Sequence, residues 1–196
     1  MADALQACTF NSLCGYYRVA ASCLRAAVEA IVTGTYLQLE GTEKLIISWQ
    51  KGEFDITFSS ACDRLSKSIK VIGLEKYLGN RIQYSIFHHK IPSTDPGWAR
   101  ALYGQLSNFA HNRPMYSEVA LWDGSNKPIF VSSSFGRIYA YFLDVCALSY
   151  VLAKICHPNI DFPALVNWLY ESKHVRSSIV AVSSFEYLGV ALSKTA

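Results

Sequence analysis

The residues best placed to do chemistry in this chain are Arg100, Tyr103, Ser107 and His111, which recur at helical spacing. At about 100° per residue they lie close to one line along a helix, and the line ends on an imidazole. An unperturbed imidazole titrates near neutrality, so His111 can accept or donate a proton. The hydroxyls of Tyr103 and Ser107, one and two turns earlier, can orient it or a bound group. Arg100 and Arg113 add fixed positive charge at either end. A rise of about 1.5 Å per residue puts Arg100 roughly 16 Å from His111 along the axis, too far to share one phosphate. Arg113 is nearer. The same residues have a structural reading, in which His111 closes the helix and joins Tyr103 and Ser107 in a buried hydrogen-bond network. Ser107 is a poor hydrolase nucleophile, since no sharp turn exposes it and no carboxylate relay is evident.

The helix carrying this line is expected over Asp95–Pro114. Asp95 can cap its free N–H groups, and Pro96 suits its first turn. Asn112 and Pro114 end it. Leu102, Leu106 and Phe109, flanked by Trp98, Ala99 and Ala110, make the opposite, apolar arc. A long first helix is expected over residues 13–39. There Leu13, Tyr17, Ala20, Leu24, Val28 and Ile31 form an apolar stripe, while Arg18, Ser22, Arg25 and Glu29 line the other side. Arg25 and Glu29 stand at the spacing of an i,i+4 ion pair. The polar side is either a solvated face or a seam that packs against a second polar seam, and the Arg100–His111 line is the candidate partner.

Elsewhere, residues 45–49 make a short apolar segment. A second helix is expected over residues 56–78, with Phe58, Cys62, Leu65, Ile69 and Ile72 inward and Arg64, Lys67 and Lys70 as a basic side. That side is a solvated surface or a phosphate track. Residues 79–95 read as a loop in which His88 and His89 are adjacent and short of further metal ligands. An Asp-Gly turn signal at Asp123 suggests a β-hairpin insert over about 117–132. Another helix runs from Phe135 to Cys156, and His157 favours its C-terminal end. Asp161 is placed to cap a shorter helix over 162–172, and residues 175–192 lean to helix.

Of the 196 residues, 51% are hydrophobic and 17% charged, which suits a globular core and argues against disorder. The expectation is a single domain spanning 1–196, in the cytoplasm and with no membrane partner. No signal peptide is evident, and no apolar run approaches the roughly 20 residues that span a bilayer. The six cysteines include no C-x-x-C pair and read as reduced core residues. A net charge of +3 leaves a nucleic-acid partner open without demanding one. There is no P-loop, no dinucleotide-binding glycine pattern, no H-E-x-x-H and no G-x-S-x-G. No cofactor and no metal are expected.

A long first helix with Arg and Glu on its polar side, followed by a helix ending Leu-Tyr-Gly-Gln-Leu-Ser-Asn-Phe-Ala-His, resembles the HEPN-like superfamily. Those are small helical proteins of prokaryotic toxin–antitoxin, abortive-infection and other antiphage systems. The resemblance covers about residues 13–156. It implies an all-α, five- or six-helix bundle, here with the hairpin insert. It also implies a homodimer, RNA as partner, metal-independent ribonuclease chemistry, and a neighbouring-gene antitoxin or larger defence-complex subunit as a further partner. The family signature sets four to six residues between an arginine and the histidine. His111 matches the histidine, but Gly104, Gln105 and Leu106 stand where the arginine belongs, as in a subgroup that lacks it. Arg81 and His88 match the spacing only in a loop. The resemblance makes His111, Tyr103, Ser107 and Arg113 the catalytic candidates, and Arg18, Arg25, Arg64, Lys67 and Arg100 the RNA-binding ones. The competing reading is a non-catalytic helical module that dimerises or docks on a larger partner.

Overall fold

A computed structural model describes residues 1–87, 96–111 and 130–190. Among them the chain is helical throughout, with no strand. The helices are α1 (Ala2–Leu13), α2 (Tyr17–Glu40), α3 (Glu43–Gln50), α4 (Phe58–Leu65), α5 (Ile69–Ile82), α6 (Trp98–Ala110), α7 (Ser132–Cys156), α8 (Pro163–Glu171), α9 (Lys173–Ser177) and α10 (Ile179–Tyr187). The all-α class agrees with the sequence pattern. The count exceeds the five or six helices expected, because the sequence breaks its helices more often than apolar periodicity reveals. The expected hairpin lies outside the described residues except at its end, where Ser132 already opens α7.

Two compact units divide the chain: residues 1–30 with 102–145, and residues 31–101 with 146–196. In the first, the expected helix over 13–39 is cut at its start. Gly15 takes φ +80°, a conformation that favours glycine. The N–H of Gly15 bonds back to Ser12 O at 3.3 Å and that of Tyr16 to Asn11 O at 2.8 Å, closing α1 with a Schellman turn. Leu13 is consequently 63% exposed at the end of α1 and does not belong to the core stripe. Tyr17, Ala20, Leu24 and Val28 of the stripe are sealed from solvent, whereas Ile31 is half-buried. Tyr17 carries a hydroxyl into that core, and the Val131 N–H satisfies it at 2.7 Å. Leu102, Leu106 and Phe109 of α6 and Ile138 and Leu143 of α7 are also buried in this unit.

In the second unit the expected helix over 56–78 is two helices. The chain turns at Ser66–Ser68, where the Lys67 and Ser68 N–H groups bond to Arg64 O and Leu65 O. That turn resets the apolar phase. Ile69 is 90% exposed and Ile72 39% exposed, while Val71, Leu74 and Leu78 are fully buried in their place. Arg64, Lys67 and Lys70 therefore lie on α4, on the turn and on α5, and do not form a single helix face. Helix α5 runs on to Ile82 through residues read as loop, and Gln83 ends it in the left-handed region at φ 54°. Thr42 and Thr57 cap α3 and α4 through their side chains, accepting from Leu45 N–H and Ser60 N–H. Asp161 does not cap α8, whose N-cap is Phe162, with Pro163 as its first residue.

Near the start of α6 the chain supplies partners that the sequence did not suggest. Asp95 lies outside the described residues. The Trp98 and Ala99 N–H groups donate to Ser85 O and Ile86 O, both at 2.9 Å. Such an approach requires glycine at 97, where a Cβ would stand 2.7 Å from the Ile86 carbonyl. Glu75 of α5, 8% exposed, accepts the Ile86 and Phe87 N–H groups at 3.2 and 2.9 Å. A buried carboxylate is thus spent on holding an irregular segment in place.

Helix α7 is long and apolar enough to cross a membrane by length and composition, although the sequence suggested no such run. Of its most apolar window, 56% is buried inside the protein, as in a core helix.

Candidate functional site

Five of the sequence candidates lie within the first unit on described residues of α2 and α6: Arg18, Arg25, Tyr103, Ser107 and, one residue past α6, His111. Tyr103, Ser107 and His111 follow one another by four residues. The His111 N–H bonds to Ser107 O at 2.9 Å, so His111 completes the last turn of the helical ladder. Its side chain is exposed, and the buried network considered for it does not form. Tyr103 and Ser107 are half-buried.

Arg25 is where the two polar lines meet. Its Nη2 donates to the Tyr103 hydroxyl at 2.8 Å, and its Cζ lies 4.9 Å from the centroid of the Tyr103 ring. A guanidinium so placed gains from both the hydroxyl and the ring's negative face. The Nε–H of Arg25 is buried and makes no hydrogen bond among the described residues. The i,i+4 pairing of Arg25 with Glu29 is not made, because the arginine turns to α6 instead. Arg18 is exposed on α2, and Ser22 Oγ donates back to its carbonyl at 3.0 Å. Arg113 lies outside the described residues, as do His88 and His89.

The other cationic candidates stand in the second unit and have structural partners there. Arg100 donates Nε to Phe87 O at 2.9 Å, Nη1 to Ser59 Oγ at 2.9 Å and Nη2 to Ser59 O at 3.1 Å. It also pairs with Asp63 at 2.6 Å, and its own side chain is only 11% exposed. Every edge of the guanidinium is committed to protein, which clamps α4 to the segment that Glu75 holds. Arg64 donates to Tyr36 Oη at 2.7 Å with its Cζ 5.4 Å from that ring. Lys67 is exposed. Sequence reasoning found Arg100 as a charge and missed its partners Ser59 and Asp63, which lie more than 35 positions away. Glu75 left one readable signal: a carboxylate between Leu74 and Leu78, on the apolar side of α5.

All six cysteines are free thiols. Burial pushes the Cys8 thiol up to about 11 and the Cys62 thiol up to about 12, so both stay protonated near neutral pH. Among the described residues no three His, Cys, Asp or Glu side chains gather where a metal ion could be held. No family model matches the chain, and no curated protein or solved structure is significantly similar to it.

Proposed function

We propose that this protein is a HEPN-like effector or accessory subunit of a prokaryotic antiphage or toxin system, acting in the cytoplasm as a homodimer that binds RNA and cleaves it without metal. The observation that carries the reading is the Arg25–Tyr103 contact, which brings a cation from α2 to the helix that ends on His111. The signature arginine is missing from that helix, and Arg25 supplies positive charge from a neighbouring one.

In this mechanism His111 takes the proton of a ribose 2′-OH, and the freed oxygen attacks the adjacent phosphorus. The bond from phosphorus to the 5′ oxygen breaks, leaving a 2′,3′-cyclic phosphate and a 5′-hydroxyl once that oxygen is protonated. Arg113, two residues from His111, balances the charge that develops on the phosphorane. Arg25 stands about two helical turns back, at the level of Tyr103, and suits a flanking phosphate. Ser107 lies between them as a hydroxyl that can hold the ribose or a phosphate oxygen. Binding follows from fluorescence anisotropy with single-stranded RNA across a salt series. Affinity that falls with salt and weakens several-fold in Arg25→Ala supports the reading. A parent protein that binds no RNA, alone or with the products of its gene neighbours, defeats it.

The second reading, a non-catalytic helical module docking on a defence-complex partner, is favoured by two observations. The Arg25 guanidinium is engaged by Tyr103, and Phe10 and Leu13 of α1 are 66% and 63% exposed. Light scattering followed by co-purification of untagged neighbours separates the two.

A further inference from the structure

In the first unit, α1 and the N-terminal half of α7 border a partly open cavity of about 220 Å³. Cys8, Thr9 and Ser12 line it from α1, and Phe135, Ile138 and Phe142 from α7. Two of the three polar residues on the α1 wall are bonded to the backbone of their own helix, and the third rests against a side chain of it. Thr9 Oγ1 donates to Leu5 O at 3.0 Å, and Ser12 Oγ donates to Cys8 O at 2.7 Å. Cys8 Sγ rests 3.8 Å from Ser12 Oγ, and burial holds it as a neutral thiol. What these residues present to the cavity is therefore methyl, methylene and sulfur.

The α7 wall is aromatic. Phe135 and Tyr139 stack with centroids 6.4 Å apart and planes 2° from parallel, and Phe130 lies 5.3 Å from Phe135. Flat rings set side by side offer faces and edges to a third ring. The cavity also exceeds the roughly 150 Å³ that suffices for an apolar protein cavity to take up benzene. Among the described residues no charged side chain borders it.

We propose that this cavity is a binding site for a small, uncharged aromatic molecule of one or two fused rings. The apolar, aromatic lining selects against carboxylates and phosphates, so the site is separate from the proposed handling of RNA on α2 and α6. It stands or falls independently of that reading.

The test titrates the full-length protein with indole, with octan-1-ol as the chain-like comparison and indole-3-acetate as the charged one. Expected are saturable 1:1 indole binding and affinities at least ten-fold weaker for the other two. Thr9, exposed at the cavity, permits a blocking variant: Thr9→Trp should abolish indole binding while melting within a few degrees of the parent. Intermolecular NOEs from indole to the Ile138 methyl groups in the parent locate the ligand without any variant. Unsaturable indole binding, equal affinity for octan-1-ol, or NOEs only to methyl groups elsewhere would overturn the proposal.

Discussion

Arg100 offers a sharp test of the structure, since its position on α6 suggests a ligand contact whereas its geometry makes it a clamp. Arg100→Ala removes hydrogen bonds to Phe87 O, Ser59 Oγ and Ser59 O and the pairing with Asp63. Bonds from a charged donor are worth about 1.5–3 kcal/mol each, but they share one side chain and do not add. Asp63 is 64% exposed and regains water on release, so its share is small. The part-buried Phe87 carbonyl and the packing lost by a side chain that is 11% exposed dominate, and the expected loss is about 3 kcal/mol. For a protein of this size that lowers the melting temperature by about 6–12 °C. Arg100→Lys keeps the charge and loses the fork, so it should recover only a minor part of the loss. Arg81→Ala is the control, because the Arg81–Glu186 pair is 54% and 40% exposed and should cost under about 1 kcal/mol. Thermal melts by circular dichroism give all three numbers. Arg100→Ala melting within about 2 °C of the parent, or no lower than Arg81→Ala, would refute the clamp.

The reset of apolar phase at Ser66–Ser68 predicts that Ile69→Asn changes stability by less than about 0.5 kcal/mol, whereas Leu74→Ala costs about 2–5 kcal/mol in the same denaturant titration. The raised thiols of Cys62 and Cys8 predict a pH effect. Unfolded thiols ionise from about pH 9 while the folded ones hold their protons to about 12 and 11, so stability should fall as pH rises through that window. Cys62→Ala should flatten the decline, and native protein at pH 8 should alkylate at Cys62 and Cys8 far more slowly than unfolded protein.

Helical class and most core positions were legible because a stripe such as Tyr17, Ala20, Leu24 and Val28 repeats with the helix itself. Helix ends were less so. The break at Gly15 is a two-residue event, and the turn at Ser66–Ser68 interrupts a period that continues on paper through Ile69 and Ile72. The meeting of α2 and α6 polar lines was readable in outline, since Arg18, Ser22, Arg25 and Glu29 and the Arg100–His111 line each recur at helical spacing. Its details were not, because whether Arg25 turns to Glu29 on its own helix or to Tyr103 depends on packing. Arg100 shows the limit most clearly. Its charge is visible in the sequence, while Ser59, Asp63 and the Phe87 carbonyl reach it only through the fold.

The most direct measurement is cleavage of 5′-labelled single-stranded RNA in EDTA by the parent, His111→Ala and Arg25→Ala, each with its melting curve. The proposed mechanism predicts products ending in a 2′,3′-cyclic phosphate. His111→Ala should lose about 10²–10⁴ in rate at an unchanged melting temperature, since His111 is exposed. Arg25→Ala should lose mainly affinity. Cleavage by His111→Ala at the parental rate, or no cyclic-phosphate product from the parent on any RNA, would contradict it.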